Sequence, residues 1–391
     1  MRTYERTHPW ITFLIDLQRV GPRLWLYLGE AASKCDHIAG APLRPMTADS
    51  LHLLYLAKGA LATTAIEGNT LTEEEVLQRL EGRLDLPPSK EYLVREIDNI
   101  VKACNIIGER LHSGDHASTP ERVCEFNRWV LEKLPAEEDV IPGTVRTHSV
   151  IVGAVYRGAP AEDCEYLLER LCQWLSGPDF ESPEGMEMVY AILKATIAHL
   201  YLAWIHPFGN GNGRTARLME FQILLAAGVP TPAAHLLSNH YNQTRSEYYR
   251  QLDHASKTGG DIVPFLEYAV QGFVDGLKEQ LEVIRGQQWD VAWRNYVHEA
   301  FQDKTSASDQ RQRHLVLDLS TNNEPAPVSK LGEFTPRLAK AYANKTAKTM
   351  QRDLAALEKM GLIERTAKGV RVRREIILAF LSWRKPLLTK E

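Results

Sequence analysis

Residues 206–217 read His-Pro-Phe-Gly-Asn-Gly-Asn-Gly-Arg-Thr-Ala-Arg, and they place one imidazole, two guanidiniums, two amides and three glycines in a single stretch. These are phosphate-handling groups. Glycines let backbone N–H groups approach an anion closely and accept positive φ. A helix beginning near Arg214 turns its N-terminal N–H groups and dipole toward negative charge. Arg214 and Arg217, three apart, share a helical face. Together they can grip successive phosphates through forked hydrogen bonds. Asn212 offers an amide donor to a non-bridging oxygen. His206 closes the apolar segment 189–205, where it can take a proton from an attacking hydroxyl. Pro207 stops that segment as a helix, and Phe208, apolar among polar neighbours, anchors the loop in the core. A plain Gly/Asn turn between helices needs neither a base nor two arginines at fixed offsets.

The stretch resembles the signature of the Fic family, His-Pro-Phe-x-Asp/Glu-Gly-Asn-Gly-Arg-x-x-Arg, and the chain is similar to that family over roughly residues 8–290. The resemblance implies a mostly α, Fic-type helical bundle with a small β-hairpin flap. It implies an enzyme that moves AMP from ATP onto a Ser, Thr or Tyr hydroxyl of a target protein. His206 is then the general base. Gly211, Asn212 and Gly213 form the anion hole for the α- and β-phosphates, Arg214 binds the phosphate chain and Arg217 the γ-phosphate. The sequence departs from the signature at Asn210, where the family has an acid that holds Mg2+ between the α- and β-phosphates. An amide oxygen is a poorer ligand for a hard dication. Asn210 leaves room for weak metal binding, for slow turnover, or for transfer of UMP, phosphate or phosphocholine. Gly213 stands against the kinase-like members, which carry Lys there.

A second signature lies upstream in Thr63-Thr64-Ala65-Ile66-Glu67-Gly68-Asn69. Residues 48–66 read as a helix, Gly68 as its C′ residue, and Thr72 with Glu75 as a capping box. Alone, Glu67 is an exposed acid at a helix end. Beside the loop, the stretch resembles the inhibitory helix of Fic proteins, which implies that Glu67 pairs with Arg217 and keeps it from the γ-phosphate. Residues 143–153, with turns at Gly153 and Gly158, read as a short hairpin and resemble the family's flap, whose edge registers the target peptide. Residues 242–252 resemble its Arg-x-x-Tyr-Tyr helix, with Tyr248 and Tyr249 either lining the nucleotide site or packed in the core.

The elements that position these groups are mostly helical. Periodicity predicts helices at 90–111, 120–133, 161–175, 184–205 and 214–227, with Thr119-Pro120 as an N-cap and N1 pair. Three regions are expected: 1–112 with the inhibitory motif, 113–300 with the catalytic loop, and 310–391 after a linker at 303–313. The last region reads as a winged helix-turn-helix domain: short helices at 314–319 and 334–344, an amphipathic helix at 344–360, and a basic hairpin at 362–373. Fic proteins often carry such a domain. Its face would use Lys345, Lys348, Thr349, Gln351 and Arg352, with Lys368, Arg371 and Arg373 on the wing, and DNA contact would be phosphate-led. Residues 309–391 hold 17 basic and 9 acidic residues, an excess of eight in a chain whose net charge is −4. Five scattered cysteines support neither a zinc site nor a disulfide framework. No segment reads as a membrane span or a signal peptide, so a cytoplasmic location is expected. The function expected is AMP transfer restrained by Glu67, with ATP as substrate, Mg2+ as a cofactor that Asn210 complicates, and a homodimer left open. The alternative is a nucleotide-sensing, DNA-binding regulator with little turnover.

Overall fold

A computed structural model describes residues 2–17, 20–84, 87–135, 137–152, 156–322 and 324–378. The chain divides into two compact units, Met1–Ile284 and Arg285–Glu391. The first holds α1 (Thr3–Thr7), α2 (Pro22–Ala39), α3 (Pro45–Ala65), α4 (Glu73–Leu80), α5 (Glu91–His112) and α6 (Pro120–Val130). A hairpin of β1 (Ile151–Val152) and β2 (Tyr156–Arg157) follows, then α7 (Cys164–Leu175), α8 (Glu187–Ile205), α9 (Asn212–Ala226), α10 (Thr231–Ala234), α11 (Leu236–Gln243) and α12 (Arg245–Lys257). Helix α13 (Val263–Ala300) begins in this unit and continues into the second.

Local signals set many of the helix starts. Proline occupies the first turn of α2, α3 and α6, where a missing N–H costs nothing. The Thr119 hydroxyl accepts from Arg122 N–H to cap α6, and the Thr72–Glu75 capping box opens α4 as expected. Helix α8 is buried on nearly all sides. It is long and apolar enough to cross a membrane, but 78% of that stretch is buried inside the protein, which is how a core helix behaves. Helices α8 and α9 pack on each other, with α2 and α7 against α8 and α3, α5 and α6 against α9.

Three expectations change. Residues 1–112 do not stand apart, because one buried apolar cluster runs from Ile11 and Leu24 through Ile100 and Ile205 to Leu277. The hairpin is shorter and later than 143–153, pairing Ile151 with Arg157 and Val152 with Tyr156. Residues 143–150 form no strand, because the Arg146 backbone and guanidinium bind the carbonyls of Pro207 and His206 instead of a partner strand. The expected turn at Gly153 lies outside the described residues. The 303–313 linker is largely helix, since Ser306 and Asp309 make a capping box that starts α14 (Ala307–Leu319).

The second unit adds α15 (Pro336–Tyr342), α16 (Ala347–Lys359), β3 (Ile363–Thr366) and β4 (Gly369–Val372). The strands pair antiparallel, and Ala326 bridges Val370 on the far edge of β4. Its own core gathers Trp293, Val297, Leu315, Leu338, Leu354 and Val370. The buried Asp353 carboxylate accepts from Arg311, Gln312 and Tyr342, tying α14, α15 and α16 together.

Leu200 sits at 0% exposure in α8. Leu200→Ala is expected to destabilise the first unit by about 2–5 kcal/mol in urea denaturation, from lost transfer energy and the cavity left behind. A loss under about 1 kcal/mol would show that α8 is not the core.

Candidate anion-binding active site

The site is built where α8 stops. His206 adopts a left-handed backbone, φ 51° and ψ 58°, a conformation that disfavours side chains other than glycine, asparagine and aspartate. Arg146, 4% exposed, holds the chain there. Its Nε donates to His206 O (2.8 Å), Nη1 to His148 O (2.6 Å) and Nη2 to Ala159 O (2.5 Å), while its backbone N–H donates to Pro207 O (3.0 Å). The guanidinium thus closes the carbonyl end of α8.

The His206 ring contacts Ala203 O through Nδ1 at 3.4 Å. That contact assigns the ring proton to Nδ1 and leaves the lone pair on Nε2. Its pKa is brought down to about 4, mainly by burial and also by Arg146, against the opposing Ala203 carbonyl and Glu67. His206 is therefore a neutral base at pH 7.

The loop that follows is braced by its own amides. Asn212 Oδ1 accepts from Phe208 N–H (2.9 Å) and Nδ2 donates to Phe208 O (2.8 Å). The Asn212 side chain, expected at a phosphate oxygen, also braces the loop through its oxygen and one of its two amide hydrogens. Phe208 anchors the turn at 1% exposure. Asn127 of α6 donates to Asn210 O (2.9 Å) and accepts from Gly143 N–H (2.9 Å). Gly211 lies at φ 78°, and a Cβ there would crowd Asn127 and Val130. Helix α9 starts at Asn212, two residues before the expected start near Arg214.

The upstream motif comes to this helix end. Gly68 turns the chain after α3 at φ 107°, and Glu67 reaches Arg217 Nη2 at 2.6 Å. The same nitrogen donates to Thr63 O (2.9 Å). Arg217 is 2% exposed. Burial alone would raise the Glu67 pKa, but the charge and hydrogen bond of Arg217 win, and the carboxyl stays below its usual range. The Glu67 carboxylate lies directly over Gly213, where any Cβ would collide with it. A carboxylate of the chain thus occupies the N-terminus of α9, where an anion is best stabilised.

Arg214 is also engaged, through a residue that sequence reasoning missed. Its Nη1 donates to Glu96 Oε1 of α5 (2.7 Å), and its Nη2 to Asn210 Oδ1 (3.1 Å). Asn69 donates to Glu96 Oε2 (3.0 Å) and to Leu93 O (2.9 Å), joining the upstream motif to this pair. Asn210 Nδ2 donates to Glu137 Oε1 (2.5 Å). Arg214 Nε, Arg217 Nε and Arg217 Nη1 are buried donors without a hydrogen-bond partner among the described residues.

A cavity of about 710 Å³ opens beside His206, Glu67 and Gly213, walled by Trp204, Tyr248 and Tyr249. Of the two tyrosines, Tyr248 is core, 3% exposed, with its hydroxyl on His199 Nε2 at 2.8 Å. Tyr249 is at the rim, 43% exposed. Among the described residues, no group of three or more His, Cys, Asp or Glu is arranged to hold a metal ion. A dication at Asn210 would rest mainly on a ligand's own oxygens and water, which is how Mg2+ commonly sits at phosphates, with Asn210 and Glu137 as the protein oxygen-bearing side chains nearby.

Residues 117–224 match the Fic/DOC family. They are a Fic domain. Protein adenylyltransferase fic-1 of Caenorhabditis briggsae is 32% identical over 235 residues, 58% of this chain and 43% of that protein. Protein adenylyltransferase Fic of Nematostella vectensis is 30% identical over 209 residues, 54% of this chain and 45% of that protein. The chain therefore spans less than half the length of these curated relatives. Among solved structures, a Fic-1 fragment of Caenorhabditis elegans aligns at TM-score 0.54 and 24% identity, covering 66% of this chain and 72% of that one. A Fic family protein from Desulfovibrio desulfuricans aligns at TM-score 0.53 and 19% identity over 90% of this chain and 96% of that one. At such identities the structural likeness is one of fold.

Because the His206 value in the folded Fic domain lies below that of an unfolded histidine, about 6.5, protons favour the unfolded chain. Stability linked to His206 falls as pH drops from about 6.5 toward 4. Ring-nitrogen NMR of His206 is expected to show a neutral imidazole down to about pH 4, and a midpoint near 6.5 would contradict the burial argument.

Proposed function

We propose that this protein transfers AMP from ATP onto a Ser, Thr or Tyr hydroxyl of a target protein, and that Glu67 restrains the transfer. The carrying observation is the Glu67 carboxylate lying over Gly213 at the start of α9, held by Arg217. It marks the place where negative charge is best stabilised, beside unpartnered guanidinium donors and a neutral histidine. The names of the relatives, protein adenylyltransferase, support the same reading.

In this mechanism the target oxygen attacks the α-phosphorus in line, the bond from that phosphorus to the bridging oxygen of the β-phosphate breaks, and pyrophosphate leaves. His206 Nε2 takes the hydroxyl proton. The backbone N–H groups at Asn212 and Gly213 stabilise charge growing on the phosphate oxygens, joined by that of Gly211 once it leaves the Asn210 side-chain oxygen. Arg214 and Arg217 hold the phosphate chain once Glu96 and Glu67 give way. The cavity between Trp204 and Tyr249 receives the nucleoside. A divalent cation, when bound with the nucleotide at Asn210, would supply charge neutralisation between phosphates. The exposed β1 edge at Ile151 suits an extended target segment.

Incubated with ATP, Glu67→Gly is expected to gain an AMP mass on the protein itself, about 10–100-fold more than the native chain. That range corresponds to losing a competing charge-assisted hydrogen bond of about 1.5–3 kcal/mol. Adding His206→Ala should lower labelling by about 10²–10⁴-fold. Intact mass spectrometry reads both, and a mass other than AMP, or labelling that survives His206→Ala, would refute the mechanism.

A second reading, a nucleotide-sensing DNA-binding regulator, is favoured by one feature of the second unit. Lys345, Lys348 and Arg352 are exposed on and before α16, and among the described residues none has a carboxylate partner. The expected wing is weaker. Arg371 pairs with Glu364, which faces it across the hairpin, and with Glu375 just after β4, and Arg373 lies 4.0 Å from Glu375. We propose that α16 meets DNA phosphates. Duplex binding by fluorescence anisotropy should weaken in Lys348→Glu and fall steeply with salt. Salt-independent binding, or none at low salt, would remove the DNA role.

A further inference from the structure

We infer that Glu137 is the protein carboxylate that faces a divalent cation at the loop, in place of the acid missing at residue 210. This rests on the nucleotide reading above. The cation is a hard dication such as Mg2+ or Mn2+, carried in with nucleotide phosphates.

The geometry is specific to this chain. Residue 210 is an amide wedged between opposite charges, with Oδ1 accepting from Arg214 and Nδ2 donating to Glu137. A carboxylate thus stands one amide's width beyond the position of the missing acid. Glu67 and Glu96, which also reach the loop, are each matched to an arginine, Arg217 and Arg214. Among the described residues, Glu137 pairs with no lysine, arginine or histidine, so its charge is left uncompensated beside a phosphate-binding loop.

The chain just after the exposed Glu137 packs against the loop. Val140 N–H donates to Glu137 O (3.2 Å). The Val140 side chain packs where a Cβ on Gly209 would have to go, at 2.9 Å. Asn127 then binds both Gly143 N–H and Asn210 O, tying the far end of the segment to the loop. Mg2+ is commonly held by one or two carboxylates together with phosphate oxygens and waters. Glu137 supplies that one negative charge, while Asn210 Oδ1 is held by the Gly211 backbone N–H as well as by Arg214.

The test uses the full chain carrying Glu67→Gly, so that the competing carboxylate is absent. Calorimetry measures ATP affinity with and without Mg2+, and Mn2+ EPR counts the ion bound alongside ATP. Mg2+ is expected to tighten ATP, and Glu137→Gln to reduce that gain by at least about tenfold, with bound Mn2+ falling in parallel. Metal-free ATP affinity should stay the same or rise, since a like charge has been removed. Asn210→Asp added to Glu137→Gln should restore the gain. An Mg2+ effect that is absent, or that survives Glu137→Gln, overturns this inference alone. Loss without recovery in the double variant makes Glu137 a structural residue and also overturns it. No ATP binding under either condition overturns the nucleotide reading itself, and this inference with it.

Discussion

A guanidinium buried at a helix N-terminus is in the wrong electrostatic place, and Arg217 is one. It lies at 2% exposure in the first turns of α9, beside the positive end of that helix. Leaving such a charge uncompensated costs about 3–5 kcal/mol, so the position demands an anion. Glu67 meets the demand, and much of the first unit arranges that meeting. Helix α3 ends there, Gly68 turns the chain at a positive φ, and Gly213 leaves room for the carboxylate. The rim helix α12 adds Tyr249 and Arg245, which reach the last carbonyls of α3 at Ile66 and Ala65. Whatever displaces Glu67 has to bring negative charge of its own, and a triphosphate does so.

Around this pair the loop is stiff where chemistry needs position and charged where a ligand needs choice. Arg146 fixes the backbone at His206 by binding carbonyls alone, so it contributes order without neutralising a carboxylate. Asn212 and Asn127 do the same for the glycine turn. The charges then alternate: Glu96 on Arg214, Glu67 on Arg217, and Glu137 beyond Asn210. Because Asn69 binds Glu96, the motif that presents Glu67 also touches the restraint on Arg214. The two arginines are held by carboxylates from two helical segments joined through one asparagine.

What could be read from the sequence followed how local the cause was. The loop, its helices and the Glu67 motif declare themselves in short runs, because glycines, caps and arginines at fixed offsets act within a few residues. The Glu67–Arg217 contact spans 150 positions and was legible only through resemblance to a family. Arg146, Asn127, Glu96 and Glu137 were not legible, since each is a single polar residue whose partner lies far along the chain. Residues 143–150 misled because β-branched side chains suggest a strand wherever they cluster. There, Arg146 is bonded to the turn after α8 and leaves no ladder to form. Asn212 shows a role the sequence did not: its amide braces the loop on both backbone polar groups of Phe208.

The central claim is that a carboxylate of the chain and the phosphates of a nucleotide compete for the N-terminus of α9. Calorimetric ATP affinity of the native protein against Glu67→Gln tests it most directly, because glutamine keeps the shape and removes the charge. Tighter ATP binding in Glu67→Gln, by about tenfold or more, is expected. Equal affinity in the two proteins would mean that Glu67 and the nucleotide do not share the place, and would contradict it.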